Sequence, residues 1–107
     1  MTIRSTLFLF SLLFLTACQK PLDDQDLIYI GSWSSKKHYI EIAANGYGFY
    51  QRRNRPGQEC RVKVKNKKIV FNWDGGRKSF CIDVPPSIEL STGMVFMVLD
   101  GRDFYKH

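Results

Sequence analysis

Beyond residue 27 the apolar side chains of this chain recur at every second position, and turn-forming residues interrupt them at short intervals. A period of two belongs to β-strands with one buried face, and the interruptions leave no stretch long enough for a substantial helix. Residues 27–34 read as a first strand. Residues 38–44 set Ile40 and Ile42 against Tyr39 and Glu41, and Asn45-Gly46 supplies a tight turn before a return strand over 47–53. After Asn54-Arg55-Pro56-Gly57, a turn by composition, residues 58–65 alternate Cys60, Val62 and Val64 with Arg61, Lys63 and Lys65.

Asn66-Lys67 separates this strand from one over 68–73, and Asp74-Gly75-Gly76 leads into 77–84. Pro85-Pro86 is expected to break the ladder, because proline has no N–H to donate. A short strand over 87–90 and a hairpin of 94–99 with 104–106 around Asp100-Gly101 complete the reading. The expected fold class is all-β, a small antiparallel meander of about eight short strands. Closing it, fully or partly, into a barrel removes the exposed edges.

The N-terminus has a different grain. Arg4 precedes an apolar run over residues 7–15, and Leu15-Thr16-Ala17-Cys18 follows at its end. The run is short for a membrane span, which needs roughly 20 apolar residues, and fits a signal-peptide core. A non-lipidated secretory signal is the other reading. The cysteine beside the small residues resembles the lipobox of bacterial lipoprotein signal peptides. That resemblance implies removal of residues 1–17, acylation of Cys18 by more than one chain, and export to the cell envelope. Gln19 replaces the aspartate associated with inner-membrane retention, so the resemblance implies a periplasm-facing anchor in the outer membrane of a Gram-negative cell. Residues 18–26 would then be the lipidated cysteine and a polar tether, and 27–107 the barrel domain. Fully extended, the eight residues 19–26 span about 26–29 Å.

A second resemblance is carried by Gly31-Ser32-Trp33 and the following Asn45-Gly46-Tyr47-Gly48 hairpin. Together they are similar to the opening of lipocalin-like small barrels, in which the Gly-x-Trp tryptophan closes one end. With strands this short the barrel is expected to be filled by its own side chains, which makes Trp33 a core residue.

Without residues 1–17 the 107-residue chain retains 90. A domain of this size buries only about 60–65% of its unfolded surface, so a covalent staple would help. With Cys18 lipidated, Cys60 and Cys81 form an even pair in an oxidising compartment, and a disulfide between them is expected. Strand phase opposes it: Cys60 alternates with the buried set, Cys81 with the exposed one, unless a bulge shifts the register.

Nothing points to catalysis, a cofactor or a metal. His38 stands beside a lysine pair, His107 is the last residue, and no nucleophile motif or phosphate loop occurs. The charge pattern is more informative. Arg52, Arg53, Arg55, Arg61, Lys63, Lys65, Lys67, Lys68, Arg77 and Lys78 crowd one stretch against Glu59 and Asp74. Three of them, Arg61, Lys63 and Lys65, share one strand face and repel each other. One reading is a solvated face that deters edge-to-edge aggregation. The other is an anion-binding surface for lipid phosphates, lipopolysaccharide, peptidoglycan carboxylates or an acidic protein. Export argues against nucleic acid, despite the interleaved aromatic residues.

The functional expectation is therefore a non-enzymatic, membrane-anchored binding module whose basic face meets an anionic envelope component or acidic partner. The alternative is an inhibitor, immunity or exclusion lipoprotein that blocks an enzyme or an entry step. The whole chain carries +6, and removal of Arg4 lowers this by one. A net positive charge disfavours a cationic enzyme as the target.

Overall fold

The structure, a computed structural model, describes residues 20–107; the leader, Cys18 and Gln19 lie outside the described residues. Eight antiparallel strands follow one another in meander order and close into a barrel. They are β1 (Gly31–Ser34), β2 (His38–Ile42), β3 (Tyr47–Arg52), β4 (Gln58–Lys65), β5 (Lys68–Trp73), β6 (Gly76–Ile88), β7 (Val95–Leu99) and β8 (Arg102–Lys106). Connections alternate between the two ends. Residues 35–37, 53–57, 74–75 and 100–101 gather at one end, here the distal end. Residues 43–46, 66–67 and 89–94, with the chain leading into β1, gather at the proximal end.

Turn chemistry sets the hairpins. Asn66 and Lys67 both have positive φ, as do Asp100 and Gly101, the combination that a two-residue turn matched to strand twist requires. The β2–β3 connection is longer than expected. Strand β2 stops at Ile42, Gly46 N–H donates to the Ala43 carbonyl at 3.1 Å, and Tyr47 N–H donates to Asn45 Oδ1 at 3.1 Å.

Three expectations are corrected. Residues 27–30 do not open the first strand: Asp24–Tyr29 forms a 3-10 helix, and β1 begins at Gly31. Residues 22–26, expected in a polar tether, belong to the folded domain: Leu22 N–H donates to the Ala44 carbonyl at 3.1 Å and its side chain packs on the core. Four residue steps separate Cys18 from Leu22, a reach of at most about 13–14 Å. Pro85-Pro86 does not end a strand either. β6 runs through both prolines, with register shifts between Ile82 and Val84 and between Val84 and Ser87. Each shift inserts one extra β6 residue, and a proline inside such a bulge removes no ladder bond.

The interior is packed with the barrel's own side chains. Trp33, Phe71, Phe80, Phe104 and Ile40 are fully buried, each removal from water being worth about 1.5–3 kcal/mol. Trp33 Nε1 donates to the Tyr29 carbonyl at 3.0 Å, which holds the 3-10 helix against the proximal end. Lys106 Nζ lies 5.6 Å from the centroid of the Trp33 ring. Gly31, at φ 138°, makes room for it, since a Cβ there would come 2.7 Å from Lys106 Cε.

The expected Cys60–Cys81 disulfide is absent; both thiols are free, Cys60 buried and Cys81 exposed. Strand phase wins over cysteine parity. Lys65 is opposite Lys68, and Lys68 opposite Cys81, so Cys81 lies level with Lys65, two strands across and about 16 Å along from Cys60. A disulfide tolerates Cα separations of at most about 7 Å. Cys60 Sγ donates to the Gln58 carbonyl at 3.2 Å, and burial pushes its thiol up to about 11. In native, non-reduced protein a maleimide should therefore modify Cys81 and reach Cys60 only after unfolding, as read by peptide mapping. A cross-linked Cys60–Cys81 peptide would contradict this arrangement.

Candidate functional site

Barrel closure sorts the ten basic candidates by strand phase. Arg61, Lys63 and Lys65 alternate with the buried Cys60 and Val62, so they stand on the outer face of β4. Lys68 faces outward beside Lys65 on β5, and Lys67 occupies the proximal turn between them. Arg61 is opposite Asn72, and Asn72 opposite Arg77, so Arg77 joins the same outer face across β5. These six form one basic wall over β4, β5 and the start of β6. Adjacent strands lie about 4.8 Å apart, which puts the backbones at Arg61 and Arg77 within about 10 Å. Carboxylates border the wall: Glu59 and Asp74 share a groove with Arg61, and Asp23 and Asp26 share one with Lys63 and Lys65. Lys65 directly opposite Lys68 is a like-charge pair that costs folding energy.

The other four candidates are elsewhere. Arg52, Arg53 and Arg55 lie at the distal end, where Arg53 N–H donates to the Lys37 carbonyl at 2.8 Å and Arg55 N–H to the Arg52 carbonyl at 3.0 Å. Lys78 shares the inward phase of Phe80, and its Nζ sits 5.0 Å from that ring's centroid. The stretch that reads as one basic run is thus two surfaces, a lateral wall and a distal crown.

The crown contains residues that sequence reasoning passed over. His38, the first residue of β2, is buried (7% exposed), and its Nδ1 has no hydrogen-bond partner. Its ring stacks on Tyr50 and Phe104 with centroids 6.0 and 6.1 Å away and meets the Phe80 ring edge-on at 5.5 Å. Arg102, on β8 in the inward phase of Phe104, adds a further cation, and Lys36 and Lys37 line a groove beside His38. The signal for His38 was its shared phase with Ile40 and Ile42. Arg102 had none, since only closure of β8 onto β1 brings it near β2.

Burial holds His38 below the ordinary imidazole range, with Arg102, Lys78 and Arg52 acting in the same direction and Asp100 opposing them. Among the described residues no three His, Cys, Asp or Glu side chains cluster as a metal site would need, and no helix is long and apolar enough to cross a membrane. The chain matches no protein-family model, no curated protein and no solved structure.

The lowered His38 pKa fixes a sign. The unfolded chain binds the His38 proton below about pH 6.5, while the folded barrel resists it. Stability present above that pH is therefore lost as the pH falls through it. The urea midpoint should drop between about pH 7 and pH 5.5 in the native sequence and drop less in His38→Phe. Equal pH slopes in the two proteins would remove His38 as the cause.

Proposed function

We propose that this protein is a non-enzymatic lipoprotein of the bacterial envelope, held by acylated Cys18, whose lateral wall binds phosphate-bearing lipid headgroups. The wall of Arg61, Lys63, Lys65, Lys67, Lys68 and Arg77 carries this reading. The six are outward cations, two of them directly opposed, and they outnumber the Glu59, Asp74, Asp23 and Asp26 carboxylates that border them, so they repel one another in the fold and gain from an anionic surface. Each basic residue at an anionic leaflet contributes about 1 kcal/mol, and the attraction fades within a Debye length of about 8–10 Å. Leu22 is docked on the barrel, so at most about 13–14 Å of chain separates it from Cys18, and attachment brings the proximal part of the wall towards the leaflet. The wall strands are in ladder register, so the backbone holds the cations at fixed spacings on one face.

Two measurements test the reading. Labelling cells with radioactive palmitate should mark the protein, and Cys18→Ser should abolish the label; an unlabelled native protein would remove the anchor. Unacylated mature Cys18→Ser protein should bind vesicles containing phosphatidylglycerol or lipopolysaccharide and release as salt is raised. The variant Arg61→Ser/Lys63→Ser/Lys65→Ser should bind them on the order of a hundredfold more weakly. Salt-resistant capture of an acidic protein, with no lipid binding, would favour the inhibitor class instead. Retention on peptidoglycan alone would move the ligand from phosphate to carboxylate.

A further inference from the structure

Among the described residues the exposed large hydrophobics are Leu27, Ile28, Tyr47, Ile88, Leu90 and Met94; all lie on proximal elements, and only Met94 also borders a groove with Lys36 and Lys37 of a distal connection. Leu27 and Ile28 are on the 3-10 helix before β1, and Tyr47 is the first residue of β3. Ile88 ends β6, Leu90 lies in the β6–β7 connection, and Met94 directly precedes β7. The distal connections carry none. Scattered single hydrophobics need no explanation, but their segregation to one end of a barrel does.

Leu90 is 96% exposed, and the loop that carries it is well tied. Glu89 N–H donates to the Met94 carbonyl at 2.8 Å, Gly93 N–H to the Glu89 carbonyl at 2.7 Å, and Thr92 Oγ1 to Glu89 Oε1 at 2.6 Å. These bonds hold the loop in shape while its leucine is left in solvent. The same end carries Lys65, Lys67 and Lys68, and the chain enters there too, with Lys20, Leu22, Asp23 and Asp26 lining a groove beside Lys63 and Lys65. Cys18 lies two residues upstream of Lys20.

We infer that the proximal end is a bilayer-docking surface, in which Leu90 and Ile88 enter the lipid interface while Lys65, Lys67 and Lys68 meet lipid phosphates. The inference rests on the headgroup-binding reading and adds to it an orientation: the barrel leans on its proximal end and the adjoining wall, and the crown of Arg52, Lys78 and Arg102 faces away from the membrane. Exposed leucine and isoleucine on one hairpin, with lysines on a separate turn of the same end, suit the boundary between acyl chains and headgroups. Glu89, between Ile88 and Leu90, stays at the water side. A second copy of the chain fits less well, because the same lysines would face one another. Two inserted side chains give only weak, reversible binding, so the surface orients a protein that is already anchored.

The test uses the acylated mature protein in vesicles of phosphatidylcholine and phosphatidylglycerol, with tryptophan placed by Leu90→Trp or, at the distal end, by Arg55→Trp. Lipids brominated in the acyl chain should quench the Leu90→Trp signal about twofold or more beyond the parent, and the Arg55→Trp signal no more than the parent. Quenching at Leu90→Trp should weaken in pure phosphatidylcholine. An unquenched Leu90→Trp on protein that still sediments with vesicles would overturn the docking and leave the headgroup reading standing. Failure of the unacylated protein to bind anionic vesicles would instead remove that reading. Equal quenching at both ends would overturn the orientation. Burial of the Leu90→Trp ring in vesicle-free solution, reversed by dilution, would make the surface a dimer interface and overturn the proposal.

Discussion

The structure depends on the seam between β8 and β1. Only Trp33 with Lys106 and Ser34 with Tyr105 pair across it, and His107 N–H donates to the Ser32 carbonyl at 2.9 Å. Without that seam β1 and β8 would be edges, with unpaired backbone groups open to other chains. Trp33 supports it from inside: its ring is fully buried, it is bonded to the 3-10 helix, and Lys106 lies over it. Helix, tryptophan and last strand therefore close one end of the barrel together.

Closure turns a two-residue period into an inside and an outside, and everything said of function follows from that division. Inward phase accumulates large rings until the interior is full. The core of Trp33, Phe71, Phe80 and Phe104 leaves the protein its surfaces and ends as places to bind. Outward phase collects the cations of β4, β5 and β6 into one wall. The same rule keeps Cys60 and Cys81 apart: an oxidising compartment favours a disulfide, but neither strand can turn its thiol without reversing every neighbour on it.

Much of the fold was legible. Strands β4 and β5 have the bounds their alternation predicts, because Val62, Val64, Ile69 and Phe71 fall on one phase and, Val70 apart, charged or polar residues on the other. The turns at Asn66-Lys67 and Asp100-Gly101 announced themselves by residue type. The stretch Leu27-Ile28-Tyr29-Ile30 misleads, since an unbroken apolar run reads equally as a buried strand or as a short helix with one face buried. There only Tyr29 is inside. Pro85-Pro86 misleads for a different reason: a missing N–H ends a regular ladder but sits harmlessly in a bulge, and bulges leave no periodic trace. Strand β8 begins at Arg102, earlier than expected, because Arg102 and Asp103 are polar on both phases.

The candidate site was half legible. Lysine and arginine were visible in the sequence, but whether they formed one surface depended on strand order and closure, which are not local properties. Barrel closure is thus the claim on which wall, crown and docking end all rest. Amide hydrogen exchange followed by NMR tests it most directly. The amides of Trp33, Lys106 and His107 should exchange as slowly as those of central β4 and β5, opening only with global unfolding. Rapid exchange at the seam beside a protected β4–β5 core would show an open sheet and contradict the closed barrel.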